Sequence, residues 1–152
     1  MHINPDHFLE TDNGRIIDAE LNALAWVKAH QALAQALLLK PKPARLYLLI
    51  GAQGSGKSTW AESRRLSEPC AVIFDAILVQ RCEREGVIQA ARMQGVDVVG
   101  VWFTVSLEEC LVRNRLRPVD EVVPENAVKN VFNALQPPQF SEGFAEIITV
   151  TA

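Results

Sequence analysis

The chain has 152 residues, 49% of them apolar and 22% charged, enough for one domain with a core of its own. Its 15 basic and 18 acidic side chains leave a formal charge of −3, so no global field draws in DNA, RNA or an anionic membrane, and any phosphate-bearing partner must be met by a local basic site. Cys70, Cys82 and Cys110 are dispersed without C-x-x-C spacing and read as reduced core thiols rather than a disulfide framework or zinc site, and the lack of a signal sequence or membrane-spanning run predicts a soluble, cytoplasmic protein.

Residues 1–17 are polar and broken by Asn4-Pro5 and Asp12-Asn13-Gly14, which is turn chemistry rather than a packed element. His2, His7 and His30 lack metal-ligand spacing and read as surface residues. From Asp18, an N-cap residue type, an Ala- and Leu-rich run to Leu39 puts Trp26, Ala29, Leu33 and Leu37 at helical spacing, and Pro41 and Pro43 end it. Arg45 to Ile50 is short and almost wholly apolar, the pattern of a central strand buried on both faces. A glycine-rich loop follows, then helical residues from Lys57 to about Leu66, then a second apolar run, Ala71 to Phe74, ending in Asp75. That is one βαβ unit, whose strands should be parallel.

Residues from about Ile77 to Gln94 can form a helix that Gly95 stops, and Val96 to Val105 reads as a third strand. Ser106 with Glu109 fits a capping box opening a helix that runs to about Arg117, where Pro118 disfavours helical geometry at the residue before it. A loop to Val123 follows, then a helix from Pro124 with Val128, Val131, Phe132 and Leu135 on one face, closed by Pro137-Pro138. Glu146 to Val150 reads as a last strand. Strands alternating with helices indicate an α/β fold, a P-loop NTPase-like doubly wound parallel sheet of four to five strands with helices on both faces and the ligand at the carboxyl ends of the strands. Residues 45–152 would form the nucleotide-binding domain, with 1–44 as an arm and helix packing on it.

Gly51-Ala52-Gln53-Gly54-Ser55-Gly56-Lys57-Ser58 matches G-x-x-x-x-G-K-[ST], and Thr59 follows. The glycines let backbone N–H groups turn inward around phosphates, Lys57 puts a cation between the β- and γ-phosphates, and the Ser58 hydroxyl ligates Mg²⁺. At ordinary residue frequencies the pattern arises by chance in roughly one chain of this length in two hundred. Its place between an apolar strand and a helix makes a mere glycine-rich turn the weaker reading. Asp75 stands at the same sheet edge. It can hold Mg²⁺, directly or through water, or take the proton of an attacking hydroxyl; the bland alternative is a cap for the next helix.

Arg113 and Arg117 lie four apart and share a helix face, whereas Arg115 turns away and complements the helix dipole. At the start of a loop, Arg117 is placed as a lid arginine that would neutralise charge on a transferring phosphoryl group. The phosphate loop through Thr59, the segment Cys110-Leu-Val-Arg-Asn-Arg-Leu-Arg117, Val123-Pro124, and Pro137-Pro138 through Glu142-Gly143-Phe144 resemble the polynucleotide-kinase-like branch of P-loop kinases, which also holds zeta-toxin relatives. The resemblance covers about residues 45–150 and implies that Arg113, Asn114 and Arg117 match an R-N-x-x-R segment leading into the lid, whose last arginine contacts the phosphates. The chain departs from that branch where one strand, ending in Asp75, stands in place of two before Val96, and where position 78 is Leu rather than Arg. A shortened βα segment of that kind would remove part of an acceptor site.

Together these features point to an ATP-dependent, Mg²⁺-requiring kinase acting on a hydroxyl of a small molecule, a nucleotide or a nucleic acid end, the last disfavoured by net charge. Lys57, Asp75, Arg113 and Arg117 would be catalytic, Gly51 to Thr59 would hold ATP, and Ser58 and Asp75 would hold the metal. The alternatives are a toxin-like nucleotide-sugar kinase and a non-catalytic ATP-binding module that docks a partner on the helix 18–39.

Overall fold

The computed structural model describes residues 1–11, 14–15, 19–39, 42–43 and 45–151. The expected cap Asp18, the turn residues Asp12-Asn13 and Pro41 lie outside the described residues. In chain order come β1 (His2–Ile3), the antiparallel pair β2 (Glu10–Thr11) and β3 (Gly14–Arg15), and α1 (Ala19–Leu37). Then follow β4 (Arg45–Ile50), α2 (Lys57–Ser67), β5 (Val72–Phe74), α3 (Arg81–Met93) and β6 (Asp97–Phe103). The chain ends with α4 (Leu107–Arg115), α5 (Glu125–Ala134) and β7 (Glu146–Val150).

Every side chain from Leu46 to Ile50 is buried, so β4 has to be covered on both faces and takes the middle of a parallel sheet. The order is β1-β5-β4-β6-β7, all neighbours parallel. Alternate residues feed opposite layers. Leu46, Leu48 and Ile50, with Val72, Phe74 and Val98, meet Ala29 and Leu33 of α1 and Val87, Ile88 and Ala91 of α3. Tyr47 and Leu49, with Ile73, Val99 and Val101, meet Ala61 and Trp60 of α2. A third cluster, Ala52, Val105, Cys110 and Val128, packs α4 and α5 beside the loop that leaves β4. The α/β doubly wound fold expected from the sequence is the fold observed, with helices on both faces.

Three local expectations change. Residues 2 and 3 form a sheet strand instead of part of a polar turn region: Ile3 is buried and pairs with Phe74, and His2 pairs with Ile73. The reason is local as well as tertiary. A residue before proline is driven to extended geometry, and Asn4 adopts it (φ −137, ψ 127) before its side chain caps the short 3-10 turn Pro5–Phe8 by accepting from the Asp6 amide at 2.9 Å. Secondly, α3 begins at Arg81, not near Ile77, because the leg before it is held by a different segment: Gln136 N–H donates to the Val79 carbonyl (2.9 Å), and the Arg81 amide donates to Gln136 Oε1 (2.8 Å). Thirdly, Cys70 and Cys82 are exposed, and Cys110 alone of the three is a core thiol.

The segment carrying Gln136 and Pro137 is tied to α3 by Arg84, whose side chain is fully buried. Its guanidinium grips both oxygens of Glu142, at 2.9 and 3.1 Å, and donates to the Gln136 carbonyl at 2.8 Å. A planar fork of this kind satisfies a buried carboxylate on two sides, while loss of one member strands the other charge. Glu142→Ala should therefore lower unfolding stability by about 3–5 kcal/mol, read from urea denaturation, and Glu142→Gln by less because the amide keeps one acceptor. A loss below about 1 kcal/mol for Glu142→Ala would mean that the pair does not hold the segment.

Candidate functional site

The phosphate loop leaves β4 and enters α2 through glycines that also admit a neighbouring helix. Gly54 and Gly56 have φ of +80 and +97, the left-handed region where a Cβ is strained. A Cβ on Gly54 would fall on the carbonyl oxygen of Cys110, and one on Gly56 would come within 3.4 Å of Arg113 Nη1. Thus α4 rests directly on the loop. Ser55 closes the turn, its amide and hydroxyl both donating to the Ala52 carbonyl at 3.2 and 2.7 Å. Gly56 caps α2 with no side-chain hydrogen bond, which leaves the first amides of α2 for an anion.

Lys57 is 8% exposed and its ammonium donates to the carbonyls of Gly51 and Ala52, both at 3.0 Å. Burial lowers its pKa, the Asp75 charge pulls it back up, and Arg117 lowers it further. Asp75, 2% exposed, follows β5. Its Oδ2 accepts from His2 Nε2 at 2.9 Å and from Asn4 Nδ2 at 3.3 Å. Burial alone pushes this carboxyl up; the His2 hydrogen bond, the charges of Lys57 and His2 and the Asn4 hydrogen bond outweigh it and hold the group below the ordinary value.

One cavity of about 830 Å³ joins these parts. Gln53 to Thr59 line it, with Asp75, Arg113 and Arg117, so all four residues expected to be catalytic and both expected metal ligands, Ser58 and Asp75, face a common space. Gly51 and Ala52 stand behind the lining and serve as acceptors for Lys57. Gln53 Oε1 is buried in this wall without a hydrogen-bond partner. Arg113 is held by Glu109 at 2.9 Å, whereas Arg115 pairs with Glu125 on the outer surface, as the spacing of the three arginines predicts. Asn114, between them, is 1% exposed and clamps the loop that follows α4: its amide donates to the Val123 carbonyl (2.7 Å) and accepts from the Val123 amide (3.0 Å).

Two features escaped the sequence. Far from being a surface residue, His2 has a side chain only 13% exposed and makes the shorter of the two hydrogen bonds to the Asp75 carboxylate. Asn4, Pro5, Asp6, Asn22 and Trp26 also line the cavity. A two-residue strand is too short to show a period, and its pairing partner lies 71 positions away, so the one available signal was the extended bias of Asn4 before Pro5.

Among the described residues no helix is long and apolar enough to cross a membrane. A search of curated proteins finds no match. A family model described as an AAA domain matches residues 63–138, half of the chain. The matched span begins beyond the phosphate loop, so loop and match are independent observations that converge on a nucleotide-binding α/β domain: the chain belongs to the AAA domain family of P-loop proteins.

Proposed function

We propose that this protein is an ATP-dependent, Mg²⁺-requiring phosphotransferase of the polynucleotide-kinase-like branch, moving the γ-phosphoryl group of ATP to a hydroxyl of an acceptor. The observation that carries the reading is the meeting of a phosphate loop, a buried carboxylate, Arg113 of α4 and Arg117 just beyond that helix in one cavity. A module that merely bound nucleotide would need the loop; Asp75 and the Arg113/Arg117 pair add what transfer requires.

In this reading the acceptor oxygen bonds to the γ-phosphorus, the bond to the β,γ-bridging oxygen breaks, and ADP leaves with its electron pair. Asp75, kept ionised by its surroundings, orients the acceptor hydroxyl and receives its proton late in the transfer. Lys57 and the amides opening α2 hold the β- and γ-phosphates, and Arg117 at the lid neutralises charge on the equatorial oxygens. Ser58 and Asp75 fit a Mg²⁺ that arrives with the nucleotide. Among the described residues no cluster of three His, Cys, Asp or Glu could hold a metal unaided, and Mg²⁺ characteristically takes one or two protein oxygens plus phosphate oxygens and water. When bound, the ion neutralises phosphate charge.

Lys57→Ala should weaken ATP affinity in calorimetry by about 10- to 100-fold, the worth of a charged hydrogen bond, and unchanged affinity in a folded variant would remove the phosphate-loop assignment. For Arg117→Ala, single-turnover transfer should slow by about 10³-fold or more with ATP affinity nearly kept, and Arg117→Lys should not restore it because a point charge cannot bridge two oxygens. Arg115→Ala serves as the outer-surface control. Equal, small effects at 115 and 117 would dispose of the lid role.

Asp75 gives a pH signature. Its folded pKa is lowered, so as pH falls the unfolded chain takes the proton first. The stabilisation is complete above the unfolded value and is lost as pH drops through the ordinary carboxylate range towards the folded one. Wild-type unfolding midpoints should decline below about pH 5. Asp75→Asn should start lower at neutral pH, show a flatter acid limb, and lose transfer while retaining nucleotide. Parallel acid limbs for wild type and variant would contradict the charge assignment.

A further inference from the structure

Asp75 lines the cavity with one of its oxygens already occupied. Both hydrogen bonds that the structure gives its carboxylate fall on Oδ2, from His2 Nε2 at 2.9 Å and from Asn4 Nδ2 at 3.3 Å, and neither falls on Oδ1. The segment that supplies these donors also holds the backbone around Asp75: the Asp75 amide donates to the Ile3 carbonyl and the Ile73 amide to the Met1 carbonyl, both at 2.7 Å. His2 and Asn4 stand two apart in extended backbone, so their side chains share one side while Ile3 enters the core on the other. The donors are themselves held. The His2 ring stands edge-on to His7 with centroids 4.9 Å apart, and Asn4 Oδ1 accepts from the Asp6 amide at 2.9 Å. Lys57 bears on the same carboxylate through its charge, while its ammonium donates to the Gly51 and Ala52 carbonyls. A charge attracts without choosing a rotamer; two N–H groups converging on one oxygen choose it.

We propose that His2 and Asn4 are positioning residues: by holding Oδ2 they fix the Asp75 side chain so that Oδ1 is the oxygen presented to the acceptor hydroxyl. The inference rests on the phosphotransferase reading and adds the amino-terminal strand to the machinery of transfer. A carboxylate without such a clamp samples rotamers in which neither oxygen lies within reach of the hydroxyl proton, and a misplacement of about 1 Å costs on the order of 10²-fold in rate. The clamp therefore acts on turnover. Nucleotide is held by the phosphate loop and the amides that open α2, which β1 does not supply, so binding of ATP is left to those groups.

The test reads rate, affinity and orientation separately on the full chain. Single-turnover release of labelled phosphate from Mg²⁺-ATP, with water as the hydroxyl compound, should slow at least about tenfold in His2→Leu, while calorimetric affinity for Mg²⁺-ATP stays within about twofold. His2→Gln keeps an N–H near the place of Nε2 and should recover most of the rate. Asn4→Ala should lose less than His2→Leu, because its bond is the longer one. In an Asp75→Asn background His2→Leu should cost nothing further, since its effect passes through the carboxylate. Crystal structures of the wild type and of the His2→Leu/Asn4→Ala double variant give a reading that needs no turnover: Asp75 should leave its rotamer in the variant. A merely structural role predicts instead that rate and affinity fall together and that His2→Gln behaves as His2→Leu does. That pattern, an unchanged rate in His2→Leu, or an Asp75 rotamer unmoved in the double variant overturns the positioning role and leaves the kinase reading standing on Lys57 and Arg117. If the wild type releases no phosphate to water, the double variant decides: a displaced Asp75 upholds the clamp whatever the acceptor, and an unmoved one overturns it.

Discussion

Asp75 ends a central strand with 2% of its surface exposed, and a carboxylate so placed stays ionised only if its neighbours supply what water would have supplied. Three residues from two distant segments do so. Lys57 opens α2, His2 lies in the edge strand β1, and Asn4 follows it. Lys57 is in the same position, its own burial relieved by Asp75. The two charges make each other tolerable, so the phosphate loop, β5 and the amino-terminal strand are bound into one electrostatic unit. A parallel sheet requires its strand ends to come together at one edge; the buried charge requires that this edge be lined by β1 as well.

The loop's glycines serve a second constraint. A phosphate loop needs inward-facing amides, which explains left-handed geometry at Gly54 and Gly56. In this protein the same missing side chains let α4 settle on the loop, with the Cys110 carbonyl over Gly54 and Arg113 over Gly56. The position of α4, and of the loop that leaves it, follows from that contact. Asn114 then fixes Val123 to α4 at both its amide and its carbonyl, so the loop that starts at Arg117 is anchored at its far end while its near end stays at the cavity.

How much of this could be read beforehand depended on whether the signal was local. The phosphate loop carries its geometry in eight consecutive residues, and β4 advertises its burial by having no polar face, so both were legible. Helical period alone puts Arg113 and Arg117 on one side and Arg115 on the other; α4 ends at Arg115, short of the expected Arg117, yet Arg113 and Arg117 line the same cavity and Arg115 turns outward to Glu125. By contrast, α3 was expected to start near Ile77 because Ile77 to Gln80 tolerates a helix; hydrogen bonds from Gln136 keep it extended, and they come from a segment more than fifty residues on. The Arg84–Glu142 fork was invisible for the same reason. Glu142 could be noticed within a resemblance, but nothing near it in sequence says that its partner is a fully buried arginine on α3.

The amino-terminal segment shows the limit most sharply, and it also alters how the shortened region after β5 is understood. Counting strands along the chain suggests that the site lost a wall, because a single strand separates the loop helix from α3. The sheet is not short of a strand at that edge: β1 occupies the position beyond β5, and the residues that follow it reach the cavity. Chain order and spatial order are different variables in a parallel sheet, since any extended dipeptide with one apolar inward side chain, here Ile3, can complete an edge. The consequence is chemical as well as topological. The lining residues Asn4, Pro5, Asp6, Asn22 and Trp26 lie outside the span 63–138 matched by the family model, as the phosphate loop does, whereas Asp75, Arg113 and Arg117 lie within it, so the cavity is assembled from matched and unmatched parts of the chain that only the parallel sheet brings to one edge.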